Sequence, residues 1–319
     1  MQHLESILNE KNKLWRYLVM TIVVFLSGNI IGAIPIGILS LIYISKTGHS
    51  PTIHDQMPDF SAIGTPSFIS LAMLLFIFAV MCTTFTLILK PLHNKSLKTV
   101  INGGKAFRWN RVLMGISVWG IITLIGFGIS LVTNPNNFVW QFHPADFFYL
   151  FLVVMLLLPF QTSFEELFFR GYLSQAIGKW THNRWVTWLT VSLLFGLIHF
   201  SNPEVKAYGF AIMIPQYILM GMFLGLISIL DDGIELALGV HFINNALGAL
   251  LLTDKNSVFQ TDALFKELKI DQIGEFIYLI IFVSITFLFF QRIYKWKIFR
   301  TMNQRIELQQ TDSSSIGNL

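Results

Sequence analysis

Cysteine and charged residues are both scarce in this sequence. Its single cysteine, Cys82, cannot form a disulfide within the chain, and its apolar surroundings predict a small packing residue. Charged residues make up 13% of the 319 residues, whereas soluble globular domains carry about 25%. An ordinary soluble domain is therefore excluded. The net charge of +4 does not indicate a nucleic-acid partner, because the basic residues lie in short loops and near the C-terminus.

Two further patterns are missing. The first thirteen residues mix acidic and basic side chains, and no small-residue cleavage site follows the first apolar run. The sequence also lacks HExxH, the usual helical signature of zinc proteases. We therefore expect no cleavable signal peptide, and the first apolar segment is predicted to be an uncleaved membrane span.

Long apolar segments dominate the chain instead. Hydrophobic residues make up 54% of the sequence, and its mean hydropathy is +0.61. A membrane-spanning helix needs about 20 mostly apolar residues. The pattern predicts an all-α, polytopic membrane protein with about eight transmembrane helices, embedded in the lipid bilayer. The predicted segments are 15–44, 67–91, 112–133, 147–178, 185–200, 208–230, 234–253 and 274–294.

The basic residues predict how these helices are oriented. Short cytoplasmic loops of membrane proteins carry an excess of Lys and Arg. Here most of the bases lie near the N-terminus or follow the second, fourth and last segments: Lys11, Lys13, Arg16, Lys95, Lys98, Lys105, Arg108, Arg111, Lys179, Arg184, Lys295, Lys297, Arg300 and Arg305. The connections on the other side hold fewer: Lys46, Lys206, Lys255, Lys266 and Lys269. Both termini are therefore predicted to be cytoplasmic in a multi-pass protein of the cell membrane. The connection with Asp231, Asp232 and Glu235 holds no base and fits this orientation least well.

The first of three polar signatures in the apolar segments holds Glu165, Glu166 and Arg170. Glu166 and Arg170 lie four residues apart, so they share a helix face and are predicted to form an ion pair. Glu165 projects about 100° away and is left free to act as a base. The alternative is a charged helix end that emerges into the cytoplasm. Apolar sequence continues beyond Arg170, which argues against that alternative.

The other two signatures pair Phe195 with His199 and His241 with Asn245, again four residues apart. A neutral imidazole can ligate a metal or share a proton with water. An imidazole and an amide can also donate hydrogen bonds to a developing oxyanion. The alternatives are a histidine at the membrane interface for His199 and hydrogen bonding between helices for His241 and Asn245.

A count along the helices predicts the relative depth of these residues. Glu165 and His199 each lie about 20 Å from the turn that joins their helices, at about 1.5 Å per residue, so they are predicted to face each other. His241 lies nearer its acidic connection and is predicted at a shallower position. To reach the same site, that connection would have to extend beyond the bilayer, or the helix of His241 would have to tilt.

Together, the three signatures resemble a known family. Glu-Glu-x-x-x-Arg, Phe-x-x-x-His and His-x-x-x-Asn, in this order on consecutive membrane segments, are similar to the motifs of the CPBP intramembrane proteases, also called the Abi family. That family includes type II CAAX prenyl endopeptidases and proteins of bacteriocin processing and immunity. The resemblance covers about residues 147–252. It implies an endopeptidase site within the helix bundle, acting on a membrane-associated peptide or protein such as a CAAX-type C-terminus, a pheromone precursor or a bacteriocin precursor.

The resemblance also implies a role for each residue. Glu165 would activate water, His199 would hold the same water, and His241 and Asn245 would stabilise the oxyanion. The supporting residues would be Glu166, Arg170 and Phe195. A divalent metal such as zinc is left open, because Glu165, His199 and His241 could form a three-ligand site. We favour chemistry without a metal.

Other functions are compatible with part of the pattern. One is a non-catalytic membrane scaffold or bacteriocin-immunity protein of the same fold, although the complete set of motifs argues against it. Another is a transporter or proton channel, although no paired inverted halves are visible. The sequence predicts N-terminal helices over residues 1–146, a protease core over 147–253, and a last helix with a polar basic tail over 254–319.

Overall fold

The structure, a computed structural model, describes residues 3–7, 11–54, 57–254, 256–257 and 259–307. It is an all-α polytopic membrane protein, as predicted. The final residues of the predicted polar tail lie outside the described residues. The helices are α1 (Leu14–Ser27), α2 (Ile34–Thr47), α3 (Ser67–His93), α4 (Leu97–Asn102), α5 (Trp109–Thr133), α6 (Pro144–Glu166), α7 (Ser174–Thr181), α8 (Arg184–Ile198), α9 (Pro203–Tyr208), α10 (Phe210–Leu230), α11 (Glu235–Leu251), α12 (Gln272–Tyr294) and α13 (Ile298–Met302).

Each of the eight predicted segments is helical over most of its length. In the described part of the chain, six stretches are long and apolar enough to cross a membrane: Leu14–Thr47, Ser67–His93, Trp109–Thr133, Pro144–Thr181, Phe210–Leu230 and Gln272–Tyr294. The other two predicted spans correspond to α8 and α11, which have 15 and 17 residues. The predicted number of eight spans is therefore not confirmed.

Two of the long stretches change their helical type along their length. Residues Gly28–Gly32 are π-helical and separate α1 from α2, and residues Leu167–Leu173 are π-helical and join α6 to α7. A π-helical turn inserts an extra residue into the α-helical repeat and is frequent at functional sites. The second turn begins directly after Glu166, so the helix widens at the first polar signature.

Helices α5 and α11 pack against each other almost backbone to backbone. A Cβ atom added to Gly115 would lie 2.5 Å from the carbonyl oxygen of Leu236, and one added to Gly239 would collide with the carbonyl of Val112. Small residues permit such close approach between membrane helices. This packing brings polar side chains of α11 within reach of α5.

The two described ends of the chain meet at one end of the bundle, which we call the terminal end. Glu5 forms an ion pair with Arg184 at the start of α8. The backbone N–H of Ile306 donates to the carbonyl oxygen of His182 at 3.1 Å. The residues before α1 and after α13 therefore lie on the same side of the bundle, together with the α7–α8 turn.

The acidic connection between α10 and α11 also lies at the terminal end, where it is neutralised by the bases that precede and begin α5. This pairing supplies bases to a connection that has none of its own in the sequence. The ion pairs join Lys105 to Asp232, Arg108 to Asp231 at 3.0 Å and to Glu235 at 2.6 Å, and Arg111 to Asp231 at 3.0 Å.

Short strands lie away from this end. The strands β1 (Ile53–His54) and β2 (Met57–Pro58) form an antiparallel pair. A three-stranded sheet has the order β3 (Phe138–Trp140), β5 (Phe265–Glu267), β4 (Leu252–Thr253), with β5 antiparallel to β3 and parallel to β4. Because β4 follows α11 directly, the sheet holds the far end of the helix that carries His241.

Candidate active site

The site is built around the adjacent carboxylates of Glu165 and Glu166 at the end of α6. Both side chains are buried, with 5% and 0% of their surface exposed. Arg170 donates from a terminal nitrogen to Oε1 of Glu166 at 2.8 Å, as the four-residue spacing predicts. Ionised groups at this depth are costly unless they are paired. The pair therefore holds the carboxylate of Glu166 in place.

Phe195 of α8 lies at the centre of the cluster. Its ring faces the guanidinium of Arg170 at 4.0 Å from the ring centroid, a cation–π contact. The same ring stands edge-on to His241 at 6.1 Å and lies 4.8 Å from the ring of His199. This phenylalanine thus contacts the basic member of the first signature and both histidines.

His241 of α11 bridges the two glutamates. Its Nδ1 is bonded to Oε1 of Glu166 at 2.7 Å, and its Nε2 lies 3.6 Å from Oε2 of Glu165. Because Arg170 keeps Glu166 anionic, the Nδ1–H donates and Glu166 accepts. Glu166 therefore fixes the orientation of the imidazole and directs Nε2 towards Glu165.

The shallower depth predicted for His241 is wrong, and the reason is the position of the α10–α11 connection. The N–H of Ile234 donates to the carbonyl oxygen of Ile101 at 3.0 Å. Gly171 packs against Val100, the residue before Ile101 in α4. Ile234 lies seven residues before His241, and Gly171 lies six residues after Glu165. The connection therefore lies at the level of Gly171. Because His241 and Glu165 are seven and six residues from that level, they reach similar depths.

Only one carboxylate oxygen of Glu165 accepts a hydrogen bond from the described residues. Gln161, one turn earlier on α6, donates from Nε2 to Oε1 at 2.5 Å. Oε2 is buried and accepts no hydrogen bond from the described residues. The 3.6 Å to His241 exceeds the usual range for a hydrogen bond. Oε2 is therefore the oxygen available to a water molecule or a substrate group.

His199 follows α8 and is held by contacts of its own. Its Nδ1 is bonded to the carbonyl oxygen of Phe195 at 2.7 Å, and because a carbonyl only accepts, Nδ1 carries the proton. Its ring stacks on Tyr217 of α10, with centroids 4.3 Å apart and an interplanar angle of 16°. No hydrogen bond joins His199 to Glu165, both of which are described. Its Nε2 is left as the lone-pair nitrogen.

Asn245 is joined to the site through Gln161, a residue that the sequence analysis missed. Asn245 donates from Nδ2 to Oε1 of Gln161 at 3.1 Å, and Gln161 donates in turn to Glu165. A signal for Gln161 was present, because it is polar, lies in an apolar run and precedes Glu165 by four residues. The amide of Asn245 thus belongs to the same hydrogen-bonded group as the proposed base.

The three-ligand metal site predicted as one alternative does not fit this geometry. In the described part of the chain, no group of three or more His, Cys, Asp or Glu is placed to share one metal ion. We therefore derive no step through a metal.

Comparison with known proteins identifies this part of the chain. Residues 144–247 match the model of a family described as type II CAAX prenyl endopeptidase Rce1-like. Over these residues the chain is similar to the Rce1-like family. It contains all three polar signatures, so the resemblance predicted from them is confirmed over these residues. The Rce1-like segment begins with α6 and ends within α11, the two helices that supply the facing atoms of Glu165 and His241.

A second comparison found a curated relative. The uncharacterized protein YyaK of Bacillus subtilis (strain 168) is 34% identical to this chain over 166 residues, which are 52% of this chain and 55% of the relative. The chain thus spans about half the length of the relative that it matches. No solved structure matched the sequence.

Proposed function

We propose that this protein is an intramembrane endopeptidase that cleaves a membrane-associated peptide or protein with a water molecule activated by Glu165. The observation that carries the proposal is the position of Oε2 of Glu165, which is buried, accepts no hydrogen bond from the described residues, and lies 3.6 Å from Nε2 of His241. The Rce1-like match of residues 144–247 supports a protease of the CAAX type.

In the first step, Glu165 acts as a general base. Its carboxylate takes a proton from water, and the water oxygen attacks the carbonyl carbon of the scissile peptide bond. A base of this kind must be ionised before the reaction begins. The hydrogen bond from Gln161 occupies Oε1 and leaves Oε2 to accept the proton.

The attack places negative charge on the former carbonyl oxygen. Donors already positioned at that oxygen lower the barrier, because they need no reorganisation. Asn245 uses one N–H for Gln161 and retains a second N–H. We assign that second N–H, together with a protonated Nε2 of His241, to the oxyanion. The lone pair on Nε2 of His199 suits the same water, which agrees with the role that the resemblance implies.

In the second step, the tetrahedral intermediate collapses. The proton held by Glu165 passes to the leaving nitrogen, the C–N bond breaks, and a new carboxyl group and a free amine are released. Glu165 returns to its starting state. Glu166, Arg170 and Phe195 act as supporting residues in this scheme, since they hold His241 and fill the space around it.

The family description suggests the substrate class. We propose a lipidated, CAAX-type C-terminus and favour it over pheromone or bacteriocin precursors. The non-catalytic scaffold is not favoured. We also propose that the described ends, and thus the terminal end of the bundle, face the cytoplasm. The division at residues 146 and 253 likewise remains a proposal.

Reconstituted protein offers the direct experiment. Purified protein in liposomes is given a prenylated peptide and the same peptide without the lipid, and the products are identified by mass spectrometry. We expect cleavage of the prenylated peptide, and loss of cleavage in the variants Glu165→Ala, His199→Ala and His241→Ala with normal membrane insertion. Wild-type cleavage by Glu165→Ala protein would contradict the proposed function. Cleavage of both peptides alike would contradict the substrate class alone.

A further inference from the structure

A chain of hydrogen bonds crosses three helices and ends on Glu165. It starts at Trp119 on α5, continues through Asn244 and Asn245 on α11, and reaches α6 at Gln161. In order, Trp119 Nε1 donates to Asn244 Oδ1 at 3.1 Å, Asn244 Nδ2 to Asn245 Oδ1 at 3.1 Å, Asn245 Nδ2 to Gln161 Oε1 at 3.1 Å, and Gln161 Nε2 to Glu165 Oε1 at 2.5 Å.

The two ends of the chain set its direction. The indole nitrogen of Trp119 only donates, and an ionised carboxylate such as Glu165 only accepts. Each amide between them could be placed with its oxygen and nitrogen exchanged. A single exchange, however, would bring donor against donor on one side and acceptor against acceptor on the other. The donor at one end and the acceptor at the other therefore fix all three amides in one orientation.

Burial makes this orientation matter. Trp119 is 1% exposed and Gln161 is 6% exposed, whereas Asn244 and Asn245 are partly buried. A buried amide without partners costs roughly 1–3 kcal/mol. The contacts of Gly115 and Gly239 hold α5 against α11 and bring Trp119 within reach of Asn244. The apolar packing and the hydrogen bonds thus support one arrangement.

We propose that Trp119, Asn244 and Gln161 are positioning residues for hydrolysis, because they make Glu165 the end acceptor of a one-directional chain and turn the amide of Asn245 towards the reacting atoms. This inference rests on the proposed function for its catalytic meaning. Its structural content concerns the hydrogen bonding of the Glu165 carboxyl group, which can be measured without any substrate.

Two consequences follow for the site. Oε1 of Glu165 accepts the last hydrogen bond of this series, from Gln161, so only Oε2 takes the proton from water. Asn245 receives a hydrogen bond at its oxygen and spends one N–H on Gln161, so a single N–H remains for the oxyanion. The chain thus links the base to the oxyanion donor.

The test uses Gln161→Leu and Trp119→Phe, with Trp188→Phe as the matched control. The indole of Trp188 also donates at membrane depth, to the carbonyl oxygen of Met222 at 2.8 Å, but takes no part in the chain. The infrared absorption of the Glu165 carboxyl group, identified by its loss in Glu165→Gln, reports the hydrogen bonding of Oε1. Cleavage is measured on the same samples.

We expect Gln161→Leu to shift this infrared band, because Oε1 loses its donor. Cleavage should fall about 10- to 100-fold. Trp119→Phe should produce a smaller change of the same sign, and should add nothing in the Gln161→Leu background, because both act through one chain.

The outcomes separate this proposal from the proposed function. An unchanged band in both variants, with Trp119→Phe behaving like Trp188→Phe, would overturn the positioning chain even if the protein is a protease. A shifted band in a protein whose wild type cleaves nothing would support the chain and refute the protease function. Full additivity of the two substitutions would also overturn the chain, because independent sites do not share an effect.

Discussion

Nδ1 of His241 lies 2.7 Å from Oε1 of Glu166. This contact joins the third polar signature to the first, across helices that are 75 positions apart in the sequence at these two residues. It gives Glu166 two tasks, because the same oxygen also accepts from Arg170 at 2.8 Å. Glu165, the neighbouring residue, makes neither contact and faces the other ring nitrogen of His241.

The two adjacent glutamates should differ sharply in their effect on stability. Glu166→Ala leaves the buried charge of Arg170 without its carboxylate, and removing one partner of a buried pair costs about 3–5 kcal/mol. Glu165→Ala should leave stability unchanged or raise it, because catalytic residues are seldom optimal for stability. Thermal unfolding of the purified variants measures both. Equal losses in the two variants would contradict the separate roles assigned to them.

Gly239→Ala should disrupt the site from outside it. The added Cβ would collide with the backbone carbonyl of Val112, so α5 and α11 must separate. We expect a loss of roughly 1–3 kcal/mol in stability and a marked loss of cleavage. Gly248→Ala, on the same helix, is the control, since nothing lies within 4 Å of its Cβ position. Similar behaviour of the two variants would argue against backbone packing as the cause.

The stack between His199 and Tyr217 should matter through the ring more than through the hydroxyl. Tyr217→Phe keeps the ring and loses the hydroxyl, which accepts a hydrogen bond from Asn202 at 3.1 Å. Tyr217→Leu removes the stacked face, and aromatic pairs contribute roughly 0.5–1.5 kcal/mol. We expect nearly normal cleavage by the phenylalanine variant and about a tenfold loss in the leucine variant. The measurement is the ratio of the two cleavage rates. A ratio near one would argue against a role for the stacked His199 in cleavage.

Acid should loosen the N-terminal segment at the terminal end. The side chain of His3 bonds through Nε2 to the carbonyl oxygen of Val100 at 3.0 Å. The backbone N–H of His3 donates to Asp232 at 2.9 Å. Burial lowers the pKa of His3 from 6.5 to about 4, against the opposing effect of Asp232. The unfolded chain therefore binds a proton between pH 6.5 and 4 that the folded chain does not. Stability should fall through this window by about 3 kcal/mol and level off below it.

His3→Gln tests this titration, because glutamine keeps a donor for Val100 and carries no titratable group. Its unfolding temperature should fall less between pH 7 and 4 than that of the wild type. His49→Gln, at an exposed position, should follow the wild type throughout. Identical pH profiles for His3→Gln and the wild type would show that another group titrates.

Local spacing was enough to predict part of this site. The ion pair of Glu166 with Arg170 follows from four-residue periodicity, and the same rule applies to Gln161 and Glu165. The helical segments follow from apolar length alone. In each case the interacting residues lie on one helix, so no knowledge of the arrangement of the helices is needed.

The contacts between helices could not be predicted in this way. The depth of His241 depends on the connection between α10 and α11, which is tucked against α4 and neutralised by Arg108. The bond between Trp119 and Asn244 depends on how closely α5 approaches α11. A count of residues from an assumed membrane surface contains neither quantity, because both arise from packing of segments distant in sequence.

The cleavage rate of Glu165→Gln protein in liposomes, with a prenylated peptide, shows whether Glu165 is the general base. Glu307→Gln is the matched control, since that glutamate is exposed and lies outside the Rce1-like segment. We expect the cleavage rate of Glu165→Gln to be lower by about 100-fold or more. Glu307→Gln should cleave at the wild-type rate, and a metal chelator should change none of the rates. Cleavage by Glu165→Gln at the wild-type rate would contradict the assignment of Glu165 as the base.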